Sequence, residues 1–361
     1  MTPPTAAEPA PGGEAVAAAR AALPPAFVAR LERILPAEDL ERALAGFALP
    51  RPVAVRVNTL RAAPEEVRRA LEADGLHPEP VPGLPEALVL PPQERERLTR
   101  HPLHLEGILY PQGLASQLAA PLLDPRPGEE VLDLCAAPGG KALHLAARMR
   151  DHGRVAAVEA ARERYFRLRA NLERAGATCV RPYLRDGTRL DRLVPGRFHR
   201  ALVDAPCSAE ARFHLVHPES FRYWGPHKIR ELARKQRRLL LAGLRCLRPG
   251  GVLLYATCSF APEENEAVVE AALAAMEGEV EVLPLEPSAG RWQEGLGGWE
   301  GRPFRPELRR ARRILPDPLF QGFFYCLLRR RPRPPRARGQ PPESPADARP
   351  RRRPRPRRWR G

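Results

Sequence analysis

The apolar positions of this 361-residue chain change period about a third of the way along. Residues 25–35 carry Phe27, Val28, Leu31 and Leu35 at helical spacing, and residues 53–60 alternate as a strand. Residues 64–74 read as a second helix and 86–90 as a second strand. From about His101 short apolar strands alternate with helices. Runs at 130–134, 154–158, 201–203 and 252–256 are continuous enough to be buried on both faces. That alternation predicts an α/β fold with a doubly wound, mostly parallel, Rossmann-like sheet. Four segments follow: 1–22, rich in Ala, Pro and Gly and expected to be disordered; a small α/β domain over 23–100; a larger domain over 101–330; and a tail over 331–361 in which Arg and Pro leave nothing to build a core.

The strand ends carry the candidate chemistry. The first strand of the large domain runs into Cys135-Ala136-Ala137-Pro138-Gly139-Gly140-Lys141 and then a helix. Small residues let a ligand approach such a turn closely, and the free N–H groups of the helix start attract an anion. Glu159 ends the next strand, 19 residues past Gly140, the spacing at which an acid reaches a ribose. Asp186 ends the third strand and Asp204 the fourth. Ligands of such sheets lie at those ends. The pattern fits a dinucleotide or S-adenosylmethionine, although the turn lacks the G-x-G-x-x-G form. Cys207 follows the fourth strand and Cys258 the fifth. A single such cysteine is more often a small buried hydrophobe, but two on neighbouring strand ends beside acids point to thiol chemistry. Cys179, Cys246 and Cys326 lie in apolar patterns and read as structural.

At this level the resemblance is specific. Leu134-Cys-Ala-Ala-Pro-Gly-Gly-Lys141, Asp204-Ala-Pro-Cys-Ser208 and Tyr255-Ala-Thr-Cys-Ser259 with Pro262-Glu-Glu-Asn-Glu266 resemble the RsmB/Nop/NSUN family of RNA 5-methylcytosine methyltransferases. Arg56-Val-Asn-Thr-Leu60, Tyr110-Pro-Gln-Gly-Leu-Ala-Ser116 and Gly322-Phe-Phe324 match as well, so the likeness covers residues 24–330. It implies a class I methyltransferase fold with an N-terminal RNA-binding domain. It further implies that S-adenosyl-L-methionine is bound by residues 135–141, Glu159, Asp186 and Asp204, with Cys258 as nucleophile, Asp204 beside the base and Cys207 assisting release. Ribosomal RNA is the implied substrate, with transfer RNA second.

The sequence departs from the family at Ala209-Glu210-Ala211-Arg212, where Gly-x-Gly is usual. Alanine disfavours positive φ, so this loop is expected to be built differently. Larger members add a C-terminal RNA-binding domain where this sequence continues into its short tail.

Composition adds a polyanionic partner. The net charge is +16, of which the tail, with twelve Arg against Glu343 and Asp347, supplies +10. Arg212, Lys228, Arg230, Arg234, Lys235, Arg237 and Arg238 could face phosphates or form a solvated helix face, and Tyr223 and Trp224 could stack on a base or pack in a core. Gln236 reads as a packing residue. The six cysteines form no C-x-x-C pair, so no metal is expected. No secretory leader or membrane-length apolar run is present, which predicts a cytoplasmic protein, taken as a monomer. Three rivals remain. A DNA cytosine-5 methyltransferase would use the Pro-Cys cysteine, Cys207, as nucleophile. An RNA-binding assembly factor without catalysis would not need both cysteines. A nucleotide-dependent oxidoreductase would leave the cysteine pair unexplained.

Overall fold

The structure, a computed structural model, describes residues 12–332. The chain opens with three helices, Gly13–Ala22, Pro25–Ile34 and Ala37–Ala48. The first corrects the expectation of disorder up to residue 22. Alanine is the best helix former, and Ala19 is fully buried in a cluster with Leu23, Phe27 and Leu31. The third helix had no sequence assignment; its buried Leu40, Ala43, Leu44 and Phe47 share one helical face. This layer packs against the large domain: the Phe27 ring lies 4.9 Å from Phe213 and 5.4 Å from Trp224, centroid to centroid.

A four-stranded antiparallel sheet follows, formed by β1 (Val53–Val57), β2 (Glu79–Val81), β3 (Leu84–Leu90) and β4 (Leu109–Pro111) in the order β2-β3-β1-β4. The helix Pro64–Ala73 covers it with Val67 and Leu71. Tyr110 of β4 pairs with Arg56 of β1, so the domain boundary falls after Pro111 and not at residue 100.

The large domain holds β5 (Glu130–Asp133), β6 (Arg154–Glu159), β7 (Val180–Leu184), β8 (Phe198–Asp204) and β9 (Leu247–Thr257). It continues with β10 (Val280–Leu283), β11 (Trp292–Glu294), a hairpin of β12 (Gly298–Trp299) with β13 (Arg302–Pro303), β14 (Arg312–Ile314) and β15 (Phe323–Arg330). The main sheet runs β7-β6-β5-β8-β9-β15-β14-β11, with β10 on β15. β5 to β9 are parallel and β15 is antiparallel to β9. Their Val, Leu and Ala side chains feed apolar clusters on both faces, and the helices Gly140–Arg148, Arg162–Ala175, Pro226–Cys246 and Glu266–Ala275 lie among these strands. The order reverses between β5 and β8, and the crevice beyond their carboxyl ends is where this topology binds ligands. β7 stops at Leu184, two residues before the predicted acid; Asp186 instead caps the turn that follows by accepting from the Thr188 N–H at 2.9 Å. The basic tail lies outside the described residues beyond position 332.

Candidate active site

The turn after β5 is braced from the small domain. Gly139 takes φ 117°, which favours glycine, and starts the helix Gly140–Arg148. At Gly140 a Cβ would stand 2.6 Å from the Tyr110 ring, so no side chain fits. The buried Arg56 donates to the Gly140 carbonyl and to Gln112 Oε1, both at 3.1 Å, and burial lowers its pKa to about 10. Asn58 ties the same strand end to the Gly107 and Ala175 carbonyls at 3.2 and 2.9 Å. The two recognisable N-terminal motifs thus support the glycine turn after β5.

Cys135, Ala136, Ala137, Pro138, Gly140 and Lys141 line a cavity of about 340 Å³ together with Asp204, Cys207, Arg212 and Cys258. Gly139, Glu159 and Asp186 do not line it. Glu159 is buried, and one oxygen accepts the Ala161 N–H at 2.9 Å. Its Oε2 makes no hydrogen bond, and Arg164 Nη1 stands 3.4 Å away. Arg164 does line the cavity and donates to the Ala137 carbonyl at 2.6 Å. A buried carboxylate oxygen without a hydrogen bond, next to a glycine turn that opens a helix, suits the diol and the charged ends of an adenosyl amino acid. Asp133, at the end of β5, is also buried with an unbonded Oδ2; burial, reinforced by the charge of Asp204, raises its pKa to about 7.

Register brings the thiols together. Asp204 of β8 lies opposite Ala256 of β9, and the Ala205 N–H donates to the Ala256 carbonyl at 3.0 Å. The two chains leave the sheet side by side, and Cys207 Sγ comes to rest 3.3 Å from Cys258 Sγ. Lys141 Nζ spans the cavity from Ser116 Oγ (2.6 Å) to Asp204 Oδ2 (2.7 Å) and lies 5.4 Å over the Phe323 ring. The Cys207 thiol hydrogen-bonds Cys258 and, with the positive charges of Arg212 and Lys141, lowers the pKa of Cys258. The same contact, with burial, drives that of Cys207 well above the usual thiol value. The two thiols are thus shifted in opposite directions, Cys258 towards the thiolate and Cys207 away from it. The Arg212 guanidinium makes no hydrogen bond or carboxylate ion pair among the described residues.

The loop after Cys207 corrects the sequence expectation. Ala209 does enter the left-handed region, at φ 56° and ψ 31°, although it is not glycine. What holds it there is Glu210, which is 1% exposed. One oxygen of Glu210 accepts from Trp224 Nε1 at 2.7 Å. The other accepts from Ser259 Oγ and from the N–H groups of Phe260 and Ala261 at 3.0, 2.8 and 2.9 Å. In return Glu264 accepts the Ser208 N–H at 3.0 Å, the Ser208 hydroxyl, and Gln236 Nε2 at 3.0 Å. Burial raises the pKa of both acids, that of Glu264 to about 7.

Trp224 is thus an anchor packed on Phe27, whereas Tyr223 is 82% exposed. Gln236 also donates to the Pro206 carbonyl at 2.9 Å, so it steadies the Cys207 loop besides packing. Cys179, Cys246 and Cys326 are buried. The basic residues of Pro226–Cys246 lie on its exposed side. Sequence reasoning overlooked Ser116, Phe323, Arg164, Glu210 and Glu264 as site residues. Ser116, Phe323 and Glu264 sit inside recognised motifs, and that was the available signal. Among the described residues no group of His, Cys, Asp or Glu could hold a metal ion, and no helix is long and apolar enough to cross a membrane.

A family model for the 16S rRNA methyltransferase RsmB/F matches residues 120–329, and one for the N-terminal domain of 16S rRNA methyltransferase RsmF matches residues 23–113. The tRNA (cytosine(49)-C(5))-methyltransferase of Pyrococcus abyssi is 34% identical over 311 residues, 84% of this chain and 96% of that protein. Ribosomal RNA small subunit methyltransferase F of Pectobacterium carotovorum is 34% identical over 251 residues, 68% of this chain and 52% of that protein. The chain therefore spans about half the length of that relative. The crystal structure of a methyltransferase homolog protein from Pyrococcus horikoshii superposes with a TM-score of 0.70 at 32% identity, covering 85% of this chain and all of that one.

Proposed function

The chain belongs to the RsmB/F family of 16S rRNA methyltransferases, and from that premise we propose that it methylates C5 of a cytosine in ribosomal RNA through a covalent bond from Cys258 to C6. It is an S-adenosylmethionine-dependent RNA methyltransferase. The observation that carries the finer reading is the 3.3 Å pair of thiols lining the same cavity as the turn at residues 135–141.

C5 of cytosine is a poor nucleophile until something adds to C6. The Cys258 thiolate forms a C–S bond at C6, and the displaced electron pair makes C5 enamine-like. Asp204, held by Lys141, would meet the polar edge of the ring, where a shared proton at N3 would stabilise the negative charge. The bound cofactor supplies the electrophilic methyl group that C5 takes up; residues 135–141, Glu159 and Asp186 would hold it. A base then removes the C5 proton, the C5=C6 bond re-forms, and Cys258 leaves as thiolate. Cys207, the protonated partner, assists this release. The target base must leave its stack, at a cost of about a few kcal/mol, which favours loops and incompletely assembled RNA.

Small-subunit ribosomal RNA is the leading substrate, because family models of 16S rRNA enzymes cover both domains. Transfer RNA is the second reading, favoured by the 96% coverage of the P. abyssi tRNA enzyme. The arginine-rich tail, at +10, adds non-specific phosphate affinity. We further propose a monomer acting in the cytoplasm. Bisulfite sequencing of total RNA from a deletion strain, compared with its parent, tests the assignment. Loss of one ribosomal 5-methylcytosine is expected; loss of a transfer RNA site alone transfers it to the second reading.

A further inference from the structure

Two buried carboxylates join the loops that carry the thiols, and each is supplied by the loop opposite to the one it fixes. Glu210, three residues past Cys207, reaches over to the segment just after Cys258. There it accepts from the Phe260 and Ala261 N–H groups and the Ser259 hydroxyl at 2.8–3.0 Å. Glu264, six residues past Cys258, reaches back to the segment just after Cys207 and accepts from the Ser208 N–H and hydroxyl. Ser208 Oγ and Ser259 Oγ meet at 3.0 Å between them. The Ala211 N–H closes the exchange by donating to the Cys258 carbonyl at 3.1 Å. Neither acid lines the cavity, and both are at most 1% exposed.

We propose that Glu210 and Glu264 are reciprocal positioning residues: Glu210 sets the Cys258 sulfur for attack, and Glu264 sets the Cys207 sulfur for release. The assignment deepens the covalent reading above and rests on it. A buried carboxylate with three or four donors confines a loop far more than a neutral side chain, because breaking any one bond leaves a polar group unpaired in a dry interior. Catalytic sulfurs must hold their geometry within about half an ångström to remain productive. The second anchors differ as well. Glu210 is tied through Trp224 to the N-terminal helical layer, whereas Glu264 is tied through Gln236 to the helix Pro226–Cys246. The two acids thus have second anchors in separate parts of the molecule, and their failures are expected to separate.

The test uses the full chain, an RNA substrate transcript and labelled S-adenosylmethionine, with single-turnover methyl transfer and a denaturing gel read together. Glu264→Gln is expected to keep first-turnover transfer within about twofold of the parent while trapped protein–RNA adduct rises at least fivefold, reproducing Cys207→Ala. Glu210→Gln is expected to slow first-turnover transfer at least tenfold with no rise in adduct. Should either glutamine variant fail to fold, Ser208→Ala and Trp224→Phe each remove one bond from the respective acid and should shift the same readouts in the same directions. Parallel loss of transfer and adduct in both acid variants, which a merely structural role predicts, overturns the proposal. So does unchanged adduct in Glu264→Gln when Cys207→Ala accumulates it, and the covalent reading then stands. If Cys207→Ala itself gives no adduct, the covalent reading fails and takes this proposal with it.

Discussion

Cys207 Sγ and Cys258 Sγ lie 3.3 Å apart although 51 residues separate them in the chain. The contact follows from the parallel register of β8 and β9, which sets Asp204 against Ala256 and releases both loops at one level. The contact with Cys207 and the positive charges of Arg212 and Lys141 lower the pKa of Cys258, whereas the same contact and burial raise that of Cys207, so the pair is asymmetric before any substrate arrives.

On the proposed covalent reading the two thiols take different roles. Cys258→Ala is expected to abolish methylation, since C5 is never activated. Cys207→Ala should still allow attack and transfer, with slow release, so a covalent protein–RNA species accumulates on a denaturing gel. The double variant should show none. Adduct that survives Cys258→Ala but vanishes in Cys207→Ala would reverse the assignment and favour the DNA-type use of the Pro-Cys cysteine.

Glu159 offers a buried, unbonded oxygen behind Arg164. Removing it as Glu159→Ala should weaken S-adenosylmethionine binding by about 1.5–3 kcal/mol, the worth of a charged hydrogen bond. Calorimetry on the folded variant measures this directly. Unchanged affinity would take Glu159 out of the site and leave its carboxylate as a partner of Arg164 and the Ala161 N–H alone.

Ala209 at φ 56° carries a left-handed conformation that costs alanine about 1–2 kcal/mol. Glycine avoids that strain but loses about 0.5–1 kcal/mol of backbone entropy. Ala209→Gly should therefore raise stability, by up to about 1.5 kcal/mol, and Ala209→Val should lower it. Denaturant melts that rank alanine above glycine would show that the loop is not strained at this position.

The ionisation of Asp133 gives a stability profile with a definite sign. Burial raises its pKa to about 7, from 3.8 when unfolded. The folded state thus holds a proton that the unfolded state releases, and stability falls as pH climbs towards 7. The contribution is full below the unfolded value and gone once pH passes the folded one. Between pH 5.5 and 8 it amounts to about 2 kcal/mol at 1.36 kcal/mol per pKa unit. Asp133→Asn should flatten the profile by that amount, read as the difference between variant and parent denaturant curves at the two pH values. Identical profiles would mean that Asp133 is ionised in the folded protein.

Much of the site is local information. Each acid or cysteine of interest follows a short apolar run, and parallel strands in a doubly wound sheet must end at one edge, so the sequence alone collects Cys135, Asp204, Cys207 and Cys258 there. The glycine pair of the cofactor turn is legible for the same reason, because backbone approach and a positive φ demand it at that spot. Tertiary structure decided the rest. The Ala-rich start folds because Ala19 finds Phe27 and Leu31 to pack on, a gain that composition does not reveal. Ala209 accepts a glycine-like conformation because Glu210 is held by donors some 50 residues away. The loops that carry the two thiols are likewise joined by two carboxylates whose hydrogen bonds cross about 50 residues of chain. Hydrophobic period specifies which element a residue joins; hydrogen bonds closed across long loops set where its functional atom stands, and their geometry exists only once the chain has packed.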